Sequence, residues 1–139
     1  MNASIVLIPG MMCTKDVFSN QINFLKNYFN VIVLEFYQYD NIVSGVKDLV
    51  TNLPREFHLL GHSMGGIVAM EIMRQCSERV LSLTLLNTNP YEEKQELKEK
   101  RNQRLKELDE LDLITLMRSD YIARYFPSDC KDRSNHIDK

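Results

Sequence analysis

Three residue types in this chain could carry nucleophilic chemistry: a serine bracketed by glycines, three histidines and three cysteines. The serine is Ser63, in the run Gly61-His62-Ser63-Met64-Gly65-Gly66. An apolar stretch, Phe57 to Leu60, precedes it, and a second, Ile67 to Met70, follows it. That order reads as strand, sharp turn and helix, with Ser63 raised at the tip. A strand that reverses into a helix within about one residue forces the tip into a strained backbone conformation and requires small neighbours. Gly61 and Gly65 supply that room, and Gly66 would let the helix pack closely on neighbouring strands. The hydroxyl then stands clear of the sheet with the positive end of a helix behind it. The Met64 amide is left free to donate to an oxyanion.

Other glycine-rich chemistries fit less well. Ser63 stands where a dinucleotide fingerprint needs its second glycine, and no lysine follows the glycines to build a phosphate loop. Cys13, Cys76 and Cys130 are odd in number and widely spaced, so neither a disulfide framework nor a metal knuckle is indicated. Cys13 has no identifiable group to lower its pKa and reads as a small apolar filler. No metal or cofactor signature is present, and the expectation is a site that works without one.

The G-x-S-x-G run between strand and helix resembles the nucleophile elbow of the α/β-hydrolase family. The resemblance implies a serine hydrolase of carboxylesterase type, acting on a small-molecule ester, thioester or amide through an acyl-Ser63 intermediate. It also implies a second oxyanion donor just after the first apolar strand, where Pro9-Gly10 makes Met11 the residue to supply its N–H. Two such amides, from Met11 and Met64, would be worth on the order of 3 kcal/mol each to a developing negative charge. A tight turn is the competing reading of Pro9-Gly10.

Serine needs a base to take its proton, and the base needs an acid to hold its tautomer. In this family the order is Ser, then Asp or Glu, then His. His58 lies on the strand before the turn, and His62 is directed away from Ser63 by strand alternation, so both read as structural. His136 follows Asp129 and Asp132 in the right order, but the resemblance places the acid and base after two further strands. The chain therefore reads as the first part of such a fold, truncated and impaired as an isolated chain.

The elements that must position Ser63 follow from periodicity. Ile5-Val6-Leu7-Ile8 is a continuous apolar run closed by Pro9-Gly10, as expected of a strand buried on both faces. From Thr14 to Phe29, the residues Phe18, Ile22, Leu25 and Phe29 mark one face of a helix, with Thr14 or Asp16 as its cap. A second strand spans Val31 to Leu34. Ile42, Val46, Leu49, Val50 and Leu53 mark a second helix, ended by Pro54. The helix after Ser63 runs to about Cys76, and a fourth strand spans Val80 to Leu86. Strands alternating with helices predict an α/β fold: a mainly parallel sheet of about four strands with helices on both faces. The loops Pro9 to Thr14, Gly61 to Gly65 and Asn87 to Pro90 should converge beyond the carboxyl ends of the strands.

Residues 1–90 thus form an incomplete hydrolase core. Residues 91–126 are a helical, cap-like segment, in which Tyr91 to Glu110 is dominated by charge and Asp112 to Phe126 has a richer apolar face. Residues 127–139 read as a polar tail. The net charge of −2 and pI near 5.9 give no reason to expect nucleic acid or an anionic membrane. No stretch has the length of a membrane span, and the cysteine usage fits a reducing cytoplasm. Left as an edge, Val80 to Leu86 has no charge or proline to protect it and should recruit a partner, another copy included, or aggregate. Two other functions fit the same residues. One is an acyltransferase or lyase on the same scaffold, and the other is a non-catalytic relic that binds or assembles through that edge.

Overall fold

The computed structural model describes residues 2–107, together with Asp112 and Thr115. Four strands, β1 (Ser4–Ile8), β2 (Asn30–Val33), β3 (Phe57–His62) and β4 (Val80–Leu86), form one sheet in the order β2-β1-β3-β4. Every pair is parallel, as the continuous apolar runs predict. The helices are α1 (Ser19–Leu25), α2 (Ile42–Leu49), α3 (Met64–Cys76) and α4 (Gln95–Glu107). No helix among the described residues is long and apolar enough to cross a membrane.

The alternation of side chains along β1 builds two cores, one on each face. Val6 and Ile8 join Leu59, Val46 of α2, and Val68, Ala69 and Ile72 of α3. Ile5 and Leu7 point the other way, onto Phe18, Ile22, Leu25 and Phe29. The spacing that predicts one apolar face for residues 14–29 is therefore the face that packs. Val6, Leu7 and Ile8 are fully buried, each burial worth about 1.5–3 kcal/mol against exposure. This makes β1 the axis of the domain.

Local capping sets where the helices begin. Thr14 Oγ1 accepts a hydrogen bond from the Asp16 amide at 3.3 Å, opening a 3-10 turn, Lys15–Phe18, that runs into α1. The first helix is thus split, shorter than its periodicity suggests. Asn41 caps α2, its Oδ1 accepting from the Ser44 amide at 3.1 Å.

The chain leaves β1 for α1 on one face and β2 on one side. It then returns through α2 on the opposite face to place β3 on the other side of β1. The direction of winding reverses between β1 and β3. Loops leaving the carboxyl ends of those two strands diverge to opposite faces, the place where open α/β sheets hold ligands.

Two units divide between Tyr91 and Glu92. In the second, α4 is the helix that the charged composition of residues 91–110 predicts. Lys100 and Glu96 pair across one turn at 2.7 Å, and Leu97 and Leu105 are exposed. Of the expected helix from Asp112 to Phe126 only Asp112 and Thr115 are described, the Asp112 Oδ1 accepting from the Thr115 amide at 3.0 Å; the rest of it and the polar tail lie outside the described residues.

Candidate active site

Ser63 links β3 directly to α3. Its backbone has φ 54° and ψ −120°, a region that side chains rarely occupy, and it is exposed. Its amide donates to the carbonyl of Leu86 at 2.9 Å, and its own carbonyl accepts from the Gly66 amide at 2.9 Å, closing the first turn of α3. Met64 follows as the first residue of a 13-residue helix, where an amide has no acceptor within the helix.

The glycines are there for space, since none has positive φ. A Cβ at Gly61 would fall on the Gly65 carbonyl oxygen and 2.6 Å from Gly66 Cα. At Gly65 it would fall on the Ile8 carbonyl oxygen and 2.5 Å from that of Pro9. Gly66 makes room for Thr88, whose Cβ would be 2.6 Å away, so it admits the loop after β4 rather than a strand. Nothing in the sequence marks Thr88 for this contact.

Three loops meet around Ser63. A Cβ on Gly10, in the loop after β1, would lie 3.2 Å from both Ser63 Cβ and His62 Nδ1. The loop after β4 reaches Gly66 through Thr88. Each of the three loops carries one residue with positive φ, namely Met12 at 60°, Ser63 at 54° and Asn87 at 52°. Among the described residues these are the only non-glycine residues with positive φ. Strain of this kind persists only where the surroundings over-determine the backbone, and it gathers at functional sites.

Neither described histidine is arranged to serve Ser63. His58 Nδ1 shares a hydrogen bond with Ser82 Oγ at 2.8 Å, and its ring meets Phe29 edge-on at 5.3 Å. His62 points to the α1 face, its ring edge-on to Phe18 at 6.4 Å, and its buried Nδ1 has no hydrogen-bond partner. His136, Asp129 and Asp132 lie outside the described residues.

Cys13 is half-buried beside this cluster. Burial pushes its thiol upward and so favours the unreactive protonated form, partly opposed by its hydrogen bond with Gly10. Met11 and Met12 are about half exposed and Met64 is half-buried. An open cavity of about 780 Å³ lies elsewhere, lined by Asn41, Val43, Ser44, Lys47, Arg74 and Gln75 of α2 and α3 and the residue before α2.

The parallel four-stranded sheet with helices on both faces has the α/β-hydrolase fold. Solved structures share that fold. An esterase from Thermogutta terrifontis matches with a TM-score of 0.76 at 22% identity, over 89% of this chain and 50% of its own. A carboxylesterase from Nitrososphaera gargenis matches with a TM-score of 0.78 at 19% identity, over 99% and 56%. The 2-hydroxy-6-oxo-6-phenylhexa-2,4-dienoate hydrolase of Rhodococcus sp. strain RHA1 matches with a TM-score of 0.70 at 19% identity, over 99% and 56%. The chain thus spans about half the length of these structures. By sequence, a 46-residue stretch is 39% identical to an uncharacterized protein of Synechocystis sp., covering 33% of this chain and 18% of that one. Within this fold the chain belongs to the Thioesterase domain family, whose pattern matches residues 4–125.

Proposed function

We propose that the chain carries the nucleophile of a serine hydrolase for acyl esters, thioesters or amides, with Ser63 forming the acyl intermediate. One observation carries this reading: an exposed serine held at φ 54° at the head of a 13-residue helix. The strain has no evident structural use, and it presents Oγ beyond the sheet where a carbonyl carbon can be attacked. The Met64 amide, at the first position of α3, is the first oxyanion donor in this proposal. The Met11 amide, on the loop that Gly10 holds against Ser63, is the second. Gly61, Gly65 and Gly66 fix the turn, and His62 fills the side of it facing α1. The family's name makes a thioester the first substrate class to try.

Attack by Ser63 forms the Oγ–carbonyl bond and moves the carbonyl electron pair onto oxygen, where the two amides receive it. Collapse expels the thiolate, alkoxide or amine, and water then releases the acid. The serine proton needs a base, and among the described residues neither histidine is placed to take it: His58 bonds Ser82 Oγ and the His62 ring faces Phe18. Slow turnover is the rate expected of the described residues, because oxyanion-stabilising amides acting without a base retain only part of the rate enhancement. Residues 91–126 are proposed as the segment that selects the acyl group, supported by the helical state of residues 95–107. Free Cys13 and Cys76 fit a reducing cytoplasm.

The test is thiol release from an acyl thioester by the 139-residue chain and by its Ser63→Ala variant. Release above the variant's background supports the reading, and equal release from both overturns it. Adding an alcohol or thiol acceptor separates hydrolysis from acyl transfer.

A second reading is favoured by β4. Leu81, Leu83, Leu85 and Leu86 are all more than a third exposed. Leu86 turns its carbonyl toward Ser63, so alternation leaves the backbone polar groups of Leu83 and Leu85 at the open edge. Such an edge supports self-association. Sedimentation of a concentration-independent monomer would count against it.

A further inference from the structure

We propose that Glu35 is a positioning residue for the loop that carries the Met11 amide, an assignment that rests on the reading of Ser63 given above. The loop, Pro9 to Thr14, has little to hold it by packing, because Met11 and Met12 are 47% and 52% exposed. It also contains a strained residue, Met12, at φ 60°. A strained and exposed segment relaxes unless its ends are fixed.

Two anchors fix it. At the near end, Gly10 lies so close to Ser63 and His62 that a Cβ would stand 3.2 Å from each, and the Gly10 carbonyl accepts from the Cys13 amide at 3.1 Å. At the far end, the Lys15 amide opens a 3-10 turn and has no acceptor within it. Its partner comes from 20 residues along the chain: Glu35 Oε1 accepts the Lys15 N–H at 2.8 Å. Glu35 lies two residues past β2, next to Leu34, which still donates to the Leu7 carbonyl at 2.9 Å, and its side chain is half-buried. The carboxylate thus ties the loop to the sheet itself.

Without this bond the loop is held from one end only, Met12 can leave its strained conformation, and the Met11 amide loses its fixed direction. The experiment compares the wild-type chain with Glu35→Ala and Glu35→Gln, measuring the rate of Ser63 modification by a fluorophosphonate and amide hydrogen exchange in residues 10–16. Glu35→Ala should slow modification about tenfold, since a misdirected oxyanion donor loses much of its effect. It should also speed exchange in residues 10–16 while leaving β1 and β3 unchanged. Glu35→Gln keeps an oxygen acceptor and should restore both readings to within about twofold of wild type. Wild-type rates and exchange in Glu35→Ala would overturn the proposal, as would equal losses in Ala and Gln, which would mark a charge effect. If the wild-type chain is not modified at Ser63, the hydrolase reading fails, and loop exchange still decides the role of Glu35.

Discussion

Replacing Gly65 by alanine tests the close approach of α3 to β1 that the turn at Ser63 depends on. The new Cβ would overlap the Ile8 carbonyl oxygen and lie 2.5 Å from that of Pro9, roughly 1 Å short of ordinary contact. Both oxygens belong to the backbone at the end of the central strand, where Ile8 is fully buried, so neither can swing aside. Either α3 lifts off the sheet or β1 shifts, and both open the core formed by Ile8, Val68 and Ala69. The cost should be about 3 kcal/mol, at the upper end for overpacking. In a domain of this size that lowers Tm by about 12 °C. Gly66→Ala is the comparison, because its Cβ meets a side chain, that of Thr88, rather than the backbone of the central strand. It should cost about 1 kcal/mol. Urea and thermal unfolding followed by circular dichroism measure both. A Gly65→Ala variant within 1 kcal/mol of wild type, or one less affected than Gly66→Ala, would refute the packing described for the turn.

Other perturbations have equally definite outcomes. Ser63→Gly relieves the positive φ at the head of α3, and strain relief of about 1–3 kcal/mol outweighs the added chain entropy of about 1 kcal/mol. The variant should unfold at equal or higher urea than wild type, and an earlier midpoint would argue against strain at residue 63. Arg79→Ala removes a guanidinium that donates to the carbonyls of Val50, Leu53 and Pro54 at 2.7–2.8 Å and lies over the Phe57 ring. A loss of about 2 kcal/mol is expected, with Arg79→Lys intermediate, and calorimetry can read both. Hydrogen bonds from Arg74 and then Gln75 hold the Glu71 carboxyl at about 2, below its ordinary 4.5. The stability it contributes is therefore full above pH 4.5 and lost as pH falls toward 2. Screening by solvent limits this contribution to about 1 kcal/mol. Glu71→Gln should flatten the fall in Tm over that range, and an unchanged slope would rule out the linkage.

The sheet and its helices were legible because burial on two faces leaves a periodic record. Ile5 to Ile8 read as a central strand, and Phe18, Ile22, Leu25 and Phe29 as one packed face, although only Ile22 and Leu25 lie in α1 itself, with Phe18 in the 3-10 turn before it and Phe29 in the turn after it. Asn41 stands where a capping residue is expected before α2, and the sign was there to be read. The reversal at Ser63 was visible through Gly61 and Gly65, whose missing side chains leave a trace in composition. What the residues did not disclose is long-range. Thr88 under Gly66, Glu35 beneath Lys15 and Arg79 across three carbonyls each join segments distant in the chain, and no local pattern requires them. The positive φ of Met12 and Asn87 was also hidden, because no glycine marks either position. The same holds for the slip in register between Phe57 and His58, where β4 gains one residue on β3.

The central claim is that the residue 63 hydroxyl is an acylating nucleophile presented to waiting amides. Prolonged exposure of the 139-residue chain to a fluorophosphonate, followed by mass spectrometry of its peptides, tests this most directly. A slowly formed, one-to-one adduct on Ser63 that is absent from Ser63→Ala is the predicted result. An unmodified Ser63, or an adduct that forms instead on another hydroxyl such as Ser82, would contradict it.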